Sequence, residues 1–333
     1  MPELRRDPIT GRWVIFSKER GRRPSDFASE DRDPVVASCP FCTGNEQQTP
    51  PELYAVRSMG SPPNTPGWSV RVVPNKYPAL RVEGDLEKAG DGIYDSMNGV
   101  GAHEVFVEGA EHSTSMTALP HAVVRAAVRA FRIRMLDLKR DRRLAYALVF
   151  KNVGRRAGAS QPHNHSQLIA TPVVPITVQQ EMAGARRFFD YRGRCIYCDI
   201  VRQERAQGAR VLLDTKEFVA LVPYAARFPF ETWVLPTRHV SHFEDSPEAE
   251  LDQFADALLT TLSRLERALG APAYNLVIHT SPFVDGPLEH YHWHAEIMPR
   301  VTMTAGFEWG SGFYINPVMP EDAVRFVLHG DRT

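Results

Sequence analysis

The chain holds four cysteines, in two pairs of identical spacing, Cys39-Pro-Phe-Cys42 and Cys195-Ile-Tyr-Cys198, and each pair is followed far downstream by two histidines one residue apart, His163/His165 and His292/His294. Thiols spaced this way, in a chain expected to be cytosolic, point to metal or redox chemistry rather than to disulfides. A redox pair stands at a helix start after a strand; two separated pairs, with 12 histidines to draw on, suit zinc better. Each pair supplies two thiolates, and a tetrahedral zinc needs two more ligands. Partners so distant along the chain meet only through long-range topology, so the cysteines constrain the whole fold.

The two halves repeat one order. Cys39 and Cys42 are followed by HEVFVEGAEH, a helical stretch, YALVFKN and then HNHSQL; Cys195 and Cys198 are followed by ETWVLPTRHVSH, a helical stretch, YNLVIHTSP and then HYHWHAEIMP. This predicts a duplicated α+β unit, with residues 1–175 and 176–333 as its halves and the junction near 175–194. Ser246 and Pro247 suit a helix start, Leu251, Phe254, Leu258, Leu262, Leu265 and Leu269 form its apolar stripe, and Gly270 stops it. The matching helix over 120–143 buries Val124, Val128, Phe131, Met135 and Leu138 and turns its arginines to solvent. β-Branched and aromatic runs predict strands at 13–16, 70–73, 104–108, 144–151, 218–222, 232–235 and 274–279.

Charge excludes several classes of partner. Thirty-nine Lys and Arg offset 40 Asp and Glu, so no overall bias toward nucleic acid or acidic membranes exists, although the N-terminal segment is locally rich in arginine. No apolar run approaches the ~20 residues of a membrane helix, and the first residues lack a signal-peptide core, which places the protein in the cytoplasm as an expectation. A zinc-stabilised RNA-binding module is disfavoured because the ligands are widely scattered and no aromatic-basic stripe accompanies them.

The histidines then sort themselves by economy. If Cys39 and Cys42 bind zinc, His112 at the end of HEVFVEGAEH and His163 complete the set; by the same logic Cys195 and Cys198 take His239 and His292. His165 is left free beside a ligand. A neutral imidazole attacks phosphorus without first losing a proton, provided an acceptor such as a backbone carbonyl holds its other nitrogen. On a strand Gln167 shares the face of His163 and His165, and Ser160 lies in the preceding loop with Gly158 and Ala159. An amide and a hydroxyl there supply donors to the oxygens of a transferring phosphoryl group.

HNHSQL preceded by GAS resembles the H-x-H-x-Q motif of galactose-1-phosphate uridylyltransferases, the transferase branch of the histidine triad superfamily. RRDPITGRWVIFSKERGRRPSDF, CPFC, GAHEV, FKN, PFETWVLP, the HWH strand and a late GFE follow in family order over nearly the whole chain. The resemblance implies a duplicated histidine-triad-like fold, antiparallel sheets with helices packed on them, a ping-pong mechanism through a nucleotidyl-histidine, and a homodimer sharing its active site. It implies nucleotide sugar and hexose 1-phosphate as substrates. It puts His165 at the nucleophile, Gln167 and Ser160 at phosphate-binding positions, Cys39, Cys42, His112 and His163 at the zinc ligands, Arg20 and Arg23 at the nucleotide diphosphate, and Asn75 and Asn152 near the nucleotide.

For the second metal the family offers two patterns. One is iron or zinc held by a glutamate and three histidines, mapping to Glu181, His279, His292 and His294; the other maps to Cys195, Cys198, His239 and His292, and thiolate affinity favours it. The two sets compete for His292. Phe307 and Glu308 of the GFE stretch remain as substrate candidates, whereas a family glutamine shortly after is missing. Ser166 stands where the main branch has glycine, and together with the YINP tail this is similar to a divergent branch that acts on ADP-glucose. Uridylyl exchange between UDP-glucose and galactose 1-phosphate is the leading expectation, and adenylyl transfer from ADP-glucose the alternative.

Overall fold

The computed structural model describes residues 2–17, 38–283 and 286–330. The first half comprises β1 (Glu3–Arg6), β2 (Trp13–Phe16), β3 (Tyr54–Arg57), β4 (Trp68–Pro74), a small hairpin of β5 (Ala89–Asp91) and β6 (Tyr94–Ser96), β7 (Ala102–Glu108), α1 (His121–Leu138), β8 (Tyr146–Val153) and β9 (His165–Thr171). The second comprises α2 (Ile176–Arg192), α3 (Ile196–Gln207), β10 (Val211–Asp214), β11 (Phe218–Leu221), β12 (Thr232–Pro236), α4 (Glu248–Leu269), β13 (Tyr274–His279), β14 (His294–Pro299), α5 (Gly306–Ser311), β15 (Tyr314–Asn316) and α6 (Pro320–His329).

Ten strands form one antiparallel sheet in the order β3-β4-β7-β9-β8-β13-β14-β12-β11-β10. The order reads the same from both ends if each strand is replaced by its counterpart in the other half. The duplicated architecture is therefore a single sheet whose halves join where β8 pairs with β13, Asn152 opposite Asn275. A separate small sheet is built from β1, β2 and β15, the last running parallel to β2.

Alternation along the strands divides the two faces. Val72, Phe106, Leu168, Ala170, Leu276, Ala295 and Ile297 point to the main core, which the apolar sides of α1, α4 and α6 complete. The expected stripe of α4 is buried from Leu251 to Leu269, and Gly270 ends the helix at φ +70°. On the opposite face of the second half, Val219, Leu221, Trp233 and Leu235 pack with Ala185 of α2 and with Ile196 and Val201 of α3. On that face of the first half stand His165, Gln167 and the loop that carries Phe41.

Two readings of the sequence change. The arginines of α1 are not merely a solvated face: Arg125 and Arg129 meet Asp256 and Asp252 of α4 through paired hydrogen bonds, Arg134 chelates Glu104 of β7, and Arg132 donates to the Glu244 carbonyl. Helical periodicity reveals where a side chain leaves its own helix but not what a neighbouring helix offers it. The segment expected to join the halves is itself helical, and Glu181 and Ala185 of α2 are buried in the second half. Its apolar positions, interrupted by Gln179, Gln180 and Arg186, give no clean stripe.

Phe131 is 2% exposed and packs edge-on to Phe106 at 4.9 Å. Phe131→Ala should cost about 3–5 kcal/mol in urea unfolding, and Arg129→Ala less than about 1 kcal/mol. Equal losses would show that the ion pairs, rather than core packing, hold α1 in place.

Candidate active site

The loop before β3 and the end of β7 bring Cys39, Cys42 and His112 to His163, and their ligand atoms all lie within 4.8 Å of one another. Cys39 Sγ is 3.5 Å from His163 Nδ1, and Cys42 Sγ is 3.5 and 3.6 Å from the Nδ1 atoms of His112 and His163. In a tetrahedron with Zn–S of ~2.3 Å and Zn–N of ~2.0 Å the S···N edge is about 3.5 Å, so the donor set fits zinc in both chemistry and size. His163 Nε2 is 2.9 Å from the Gly109 carbonyl, which fixes the hydrogen there and leaves Nδ1 for the metal. Burial pushes His163 down to about 4, so the ring is neutral, as a ligand must be.

The second half repeats the arrangement. Cys198 Sγ lies 3.4 Å from His239 Nδ1 and 3.6 Å from His292 Nδ1, with Cys195 in the same group. The His292 and His239 Nε2 atoms face the Pro236 and Leu288 carbonyls at 3.0 and 3.2 Å. The expected competition for His292 does not arise, because the alternative set is realised with Glu296 in its place: Glu181, His279, His294 and Glu296 form a separate buried group. Cationic side chains of the protein already partner both of its glutamates. Burial opposes a charge on His279, but Glu181 at 3.0 Å overcomes it and lifts the imidazole to about 9. Glu296 is paired with Arg227 at 2.5 Å. A fixed guanidinium so close disfavours a divalent cation there.

His165 opens β9 directly after the first cluster. Its Nδ1 donates to the His163 carbonyl at 2.7 Å, which leaves Nε2 as the bare nitrogen. Burial lowers its proton affinity and the Lys151 ammonium adds to this, so the ring stays neutral. Phe41, between the two cysteines, lies against the ring at 5.4 Å. Beneath β9 a buried network fixes the strand: Lys151 donates to the His165 carbonyl at 2.9 Å and to Glu108 at 2.7 Å, and Glu108 also accepts from Asn164 and Ser166. Ser166, in the place of the family glycine, thus faces inward and anchors the strand from behind.

The remaining candidates distribute around this ring. Gln167 and Asn75 meet at 3.4 Å, and both contact His103. Asn152 accepts from Asn275 at 2.7 Å, and Asn275 also donates to the Ala157 carbonyl at 2.8 Å, tying β13 to the turn that leads into Gly158, Ala159 and Ser160. Gly158 has φ +86°, a conformation that favours glycine, and Ser160 is exposed. Asn152, Gly158, Asn275 and Arg300 line a groove of about 740 Å³, and Asn75 and His103 line another of about 920 Å³. A third cavity, about 730 Å³ beside Arg210 and Trp233, holds no histidine.

Phe307 and Glu308 lie on α5 and make no hydrogen bond or ring contact with His165, Gln167 or Asn75 among the described residues. Glu308 instead accepts from the Ala305 backbone N–H at 3.0 Å, while Phe307 and Trp309 are exposed. Arg20 and Arg23 lie outside the described residues. Lys151, Glu108, His103, Asn275 and Arg300 were not singled out from the sequence, since their roles depend on which strands are neighbours.

The family described as galactose-1-phosphate uridyl transferase matches with its N-terminal domain over residues 1–175 and its C-terminal domain over 181–306. The chain is 37% identical to ADP-glucose phosphorylase of Arabidopsis thaliana over 97% of this chain and 92% of that protein, and 28% identical to galactose-1-phosphate uridylyltransferase of Thermotoga maritima over 98% and 97%. The crystal structure of the Arabidopsis thaliana ADP-glucose phosphorylase with bound ADP-glucose is similar over all of both chains, with TM-score 0.83 and 35% identity.

Metal analysis of protein purified without added zinc should give two equivalents of zinc per chain. Cys39→Ser and Cys195→Ser should each remove one, and no third metal should bind to the Glu181 group. A single equivalent, or iron that persists in the Cys195→Ser variant, would contradict this assignment.

Proposed function

The chain belongs to the galactose-1-phosphate uridyl transferase family and is a nucleotidyltransferase, and on that premise we propose that it works in two steps through His165. The bare Nε2 of His165, held by the Nδ1–H bond to the His163 carbonyl, carries this reading. In the first step the Nε2 lone pair attacks the α-phosphorus of a nucleotide sugar, the bond from phosphorus to the bridging oxygen breaks, and hexose 1-phosphate leaves with that electron pair. In the second a phosphate oxygen of the acceptor attacks the same phosphorus and the P–N bond breaks, which returns the neutral imidazole. No proton transfer at Nε2 is required. The carbonyl that holds Nδ1–H also stabilises the positive charge that the ring gains in the intermediate.

Gln167 and Ser160 act as donors to the non-bridging oxygens, and Asn75, Asn152, Arg20, Arg23 and the Gly158–Ala159 backbone bind the nucleotide diphosphate. Cys39, Cys42, His112 and His163 would hold a zinc ion, which would serve structurally by tying the loop carrying Phe41 to the residue that orients His165. Cys195, Cys198, His239 and His292 would hold a second zinc ion, joining the start of α3 to the strands of the other half.

The donor base has two supported readings. Uridylyl exchange between UDP-glucose and galactose 1-phosphate draws on the family and the 28%-identical uridylyltransferase. Adenylyl transfer from ADP-glucose to phosphate stands level with it, because a relative of that printed activity is 37% identical over most of both chains. We also propose a homodimer sharing its active site, with the exposed Phe307 and Trp309 of α5 reaching the second subunit.

Incubation with UDP-glucose or ADP-glucose labelled at the α-phosphate, without acceptor, should leave an acid-labile label on the protein. His165→Ala should abolish it, and Gln167→Ala should slow both half-reactions on the order of a hundredfold. The donor that labels the protein identifies the base, and label surviving His165→Ala would refute the covalent mechanism. If α5 completes a neighbouring site, mixing His165→Ala with Phe307→Ala/Glu308→Ala protein should restore activity that neither possesses; no restoration would place α5 outside the site.

A further inference from the structure

The amide of Gln167 can face its surroundings in two ways, and one of them would turn its oxygen toward an anionic phosphate. Two backbone N–H groups, which can only donate, decide between them. The Ala79 N–H lies 3.1 Å from His103 Nδ1, so that nitrogen is the bare acceptor of the neutral ring and the hydrogen resides on Nε2. His103 Nε2 is 2.8 Å from Gln167 Oε1, and with the hydrogen on Nε2 the atom facing it must be an oxygen. Independently, the Tyr77 N–H donates to Asn75 Oδ1 at 2.9 Å, so Asn75 turns its amide nitrogen to the same Gln167 oxygen, 3.4 Å away; that nitrogen also lies 3.1 Å from His103 Nε2, whose lone pair it could claim only if the ring hydrogen sat on Nδ1, against the Ala79 N–H. Both donors converge on Oε1. The Gln167 NH₂ makes no hydrogen bond among the described residues, and it shares the strand face of His165.

We propose that His103 is a positioning residue, which with Asn75 locks the Gln167 side chain so that its amide hydrogens, and not its carbonyl oxygen, are presented to the phosphoryl group in transfer. This rests on the nucleotidyl transfer proposed above. The loop at 76–79 is part of the device, since Ala79 sets the tautomer of His103 and Tyr77 sets the rotamer of Asn75. Without the His103 donor the Gln167 amide is free to flip. A flipped amide puts a lone pair against the non-bridging oxygens and loses a donor where charge builds up.

The test is a double-mutant cycle with a spectroscopic companion. His103→Ala should lower kcat of both half-reactions on the order of tenfold to a hundredfold, with KM for the nucleotide sugar changed by less than about threefold. In a Gln167→Ala background the same change should have no further effect, and His103→Gln, which retains an N–H donor, should recover part of the loss. Nitrogen-15 spectra of the wild-type protein should show His103 with Nδ1 bare and Nε2 protonated. Losses that multiply in the double variant, a raised KM with unchanged kcat, or the Nδ1–H tautomer would each overturn the proposal. If wild-type protein takes label from neither donor, the reaction reading fails, while the tautomer measurement still decides the role of His103.

Discussion

One hydrogen bond, from His165 Nδ1 to the carbonyl of His163, joins the cysteine–histidine cluster to the proposed nucleophile. His163 offers Nδ1 to the cysteine cluster, its own Nε2 to Gly109, and its backbone carbonyl to the neighbouring ring. A metal bound there fixes the peptide that sets the tautomer of the proposed nucleophile, although it need never touch a phosphate. The spacing of one residue matters for this reason. On a strand it keeps both rings on one face, and it places the first residue's carbonyl within reach of the second residue's ring. Lys151 then holds the His165 carbonyl from the other side of the strand, so the backbone is pinned before and after the imidazole.

The duplicated half shows what that arrangement becomes when the surroundings change. His294 occupies the place of His165, and its Nδ1 likewise faces the carbonyl two residues back, at 3.2 Å. Glu296 occupies the place of Gln167. There the face is filled: Tyr197 of α3 and Trp233 of β12 lie against His294 at 5.1 and 5.3 Å, and Glu181 of α2 enters beside it. A cavity of about 10 Å³ remains, room for about one water and far too little for a nucleotide. Access distinguishes the halves more than the imidazoles do. The same motif stands beside open grooves in the first half, where we place the chemistry, and serves the core where helices cover it.

These contrasts explain what the sequence could disclose. Cys39, Cys42, Cys195 and Cys198 with their histidines were legible because ligand chemistry restricts residue type and number, and the stripe of α4 was legible because it repeats at the helical period. The strand runs were placed to within two or three residues for the same reason. His103 carried no comparable signal. It sits on β7 opposite Ile169, and it reaches Gln167 only along the diagonal of the antiparallel ladder. Diagonal neighbours depend on register, which spacing within one segment does not give. Glu296 was missed for a related reason: it follows the H-x-H on the covered face, and nothing in its own segment tells that Arg227 and the group around Glu181 await it.

The same separation of roles bears on why the base is so hard to read. In the proposed reaction the groups on β9, β7 and the loop at 154–160 address a phosphorus and its oxygens, which a uridylyl and an adenylyl donor present alike. On that proposal, selection between the bases falls to the walls of the flanking grooves, where Arg300 rests on Phe228 at 5.2 Å and where Thr302, Met303 and Trp309 make no hydrogen bond to His165 among the described residues. If the proposed nucleophile is pinned by the backbone around it and recognition lies on groove walls that do not hold that backbone, a change of donor costs the fold little.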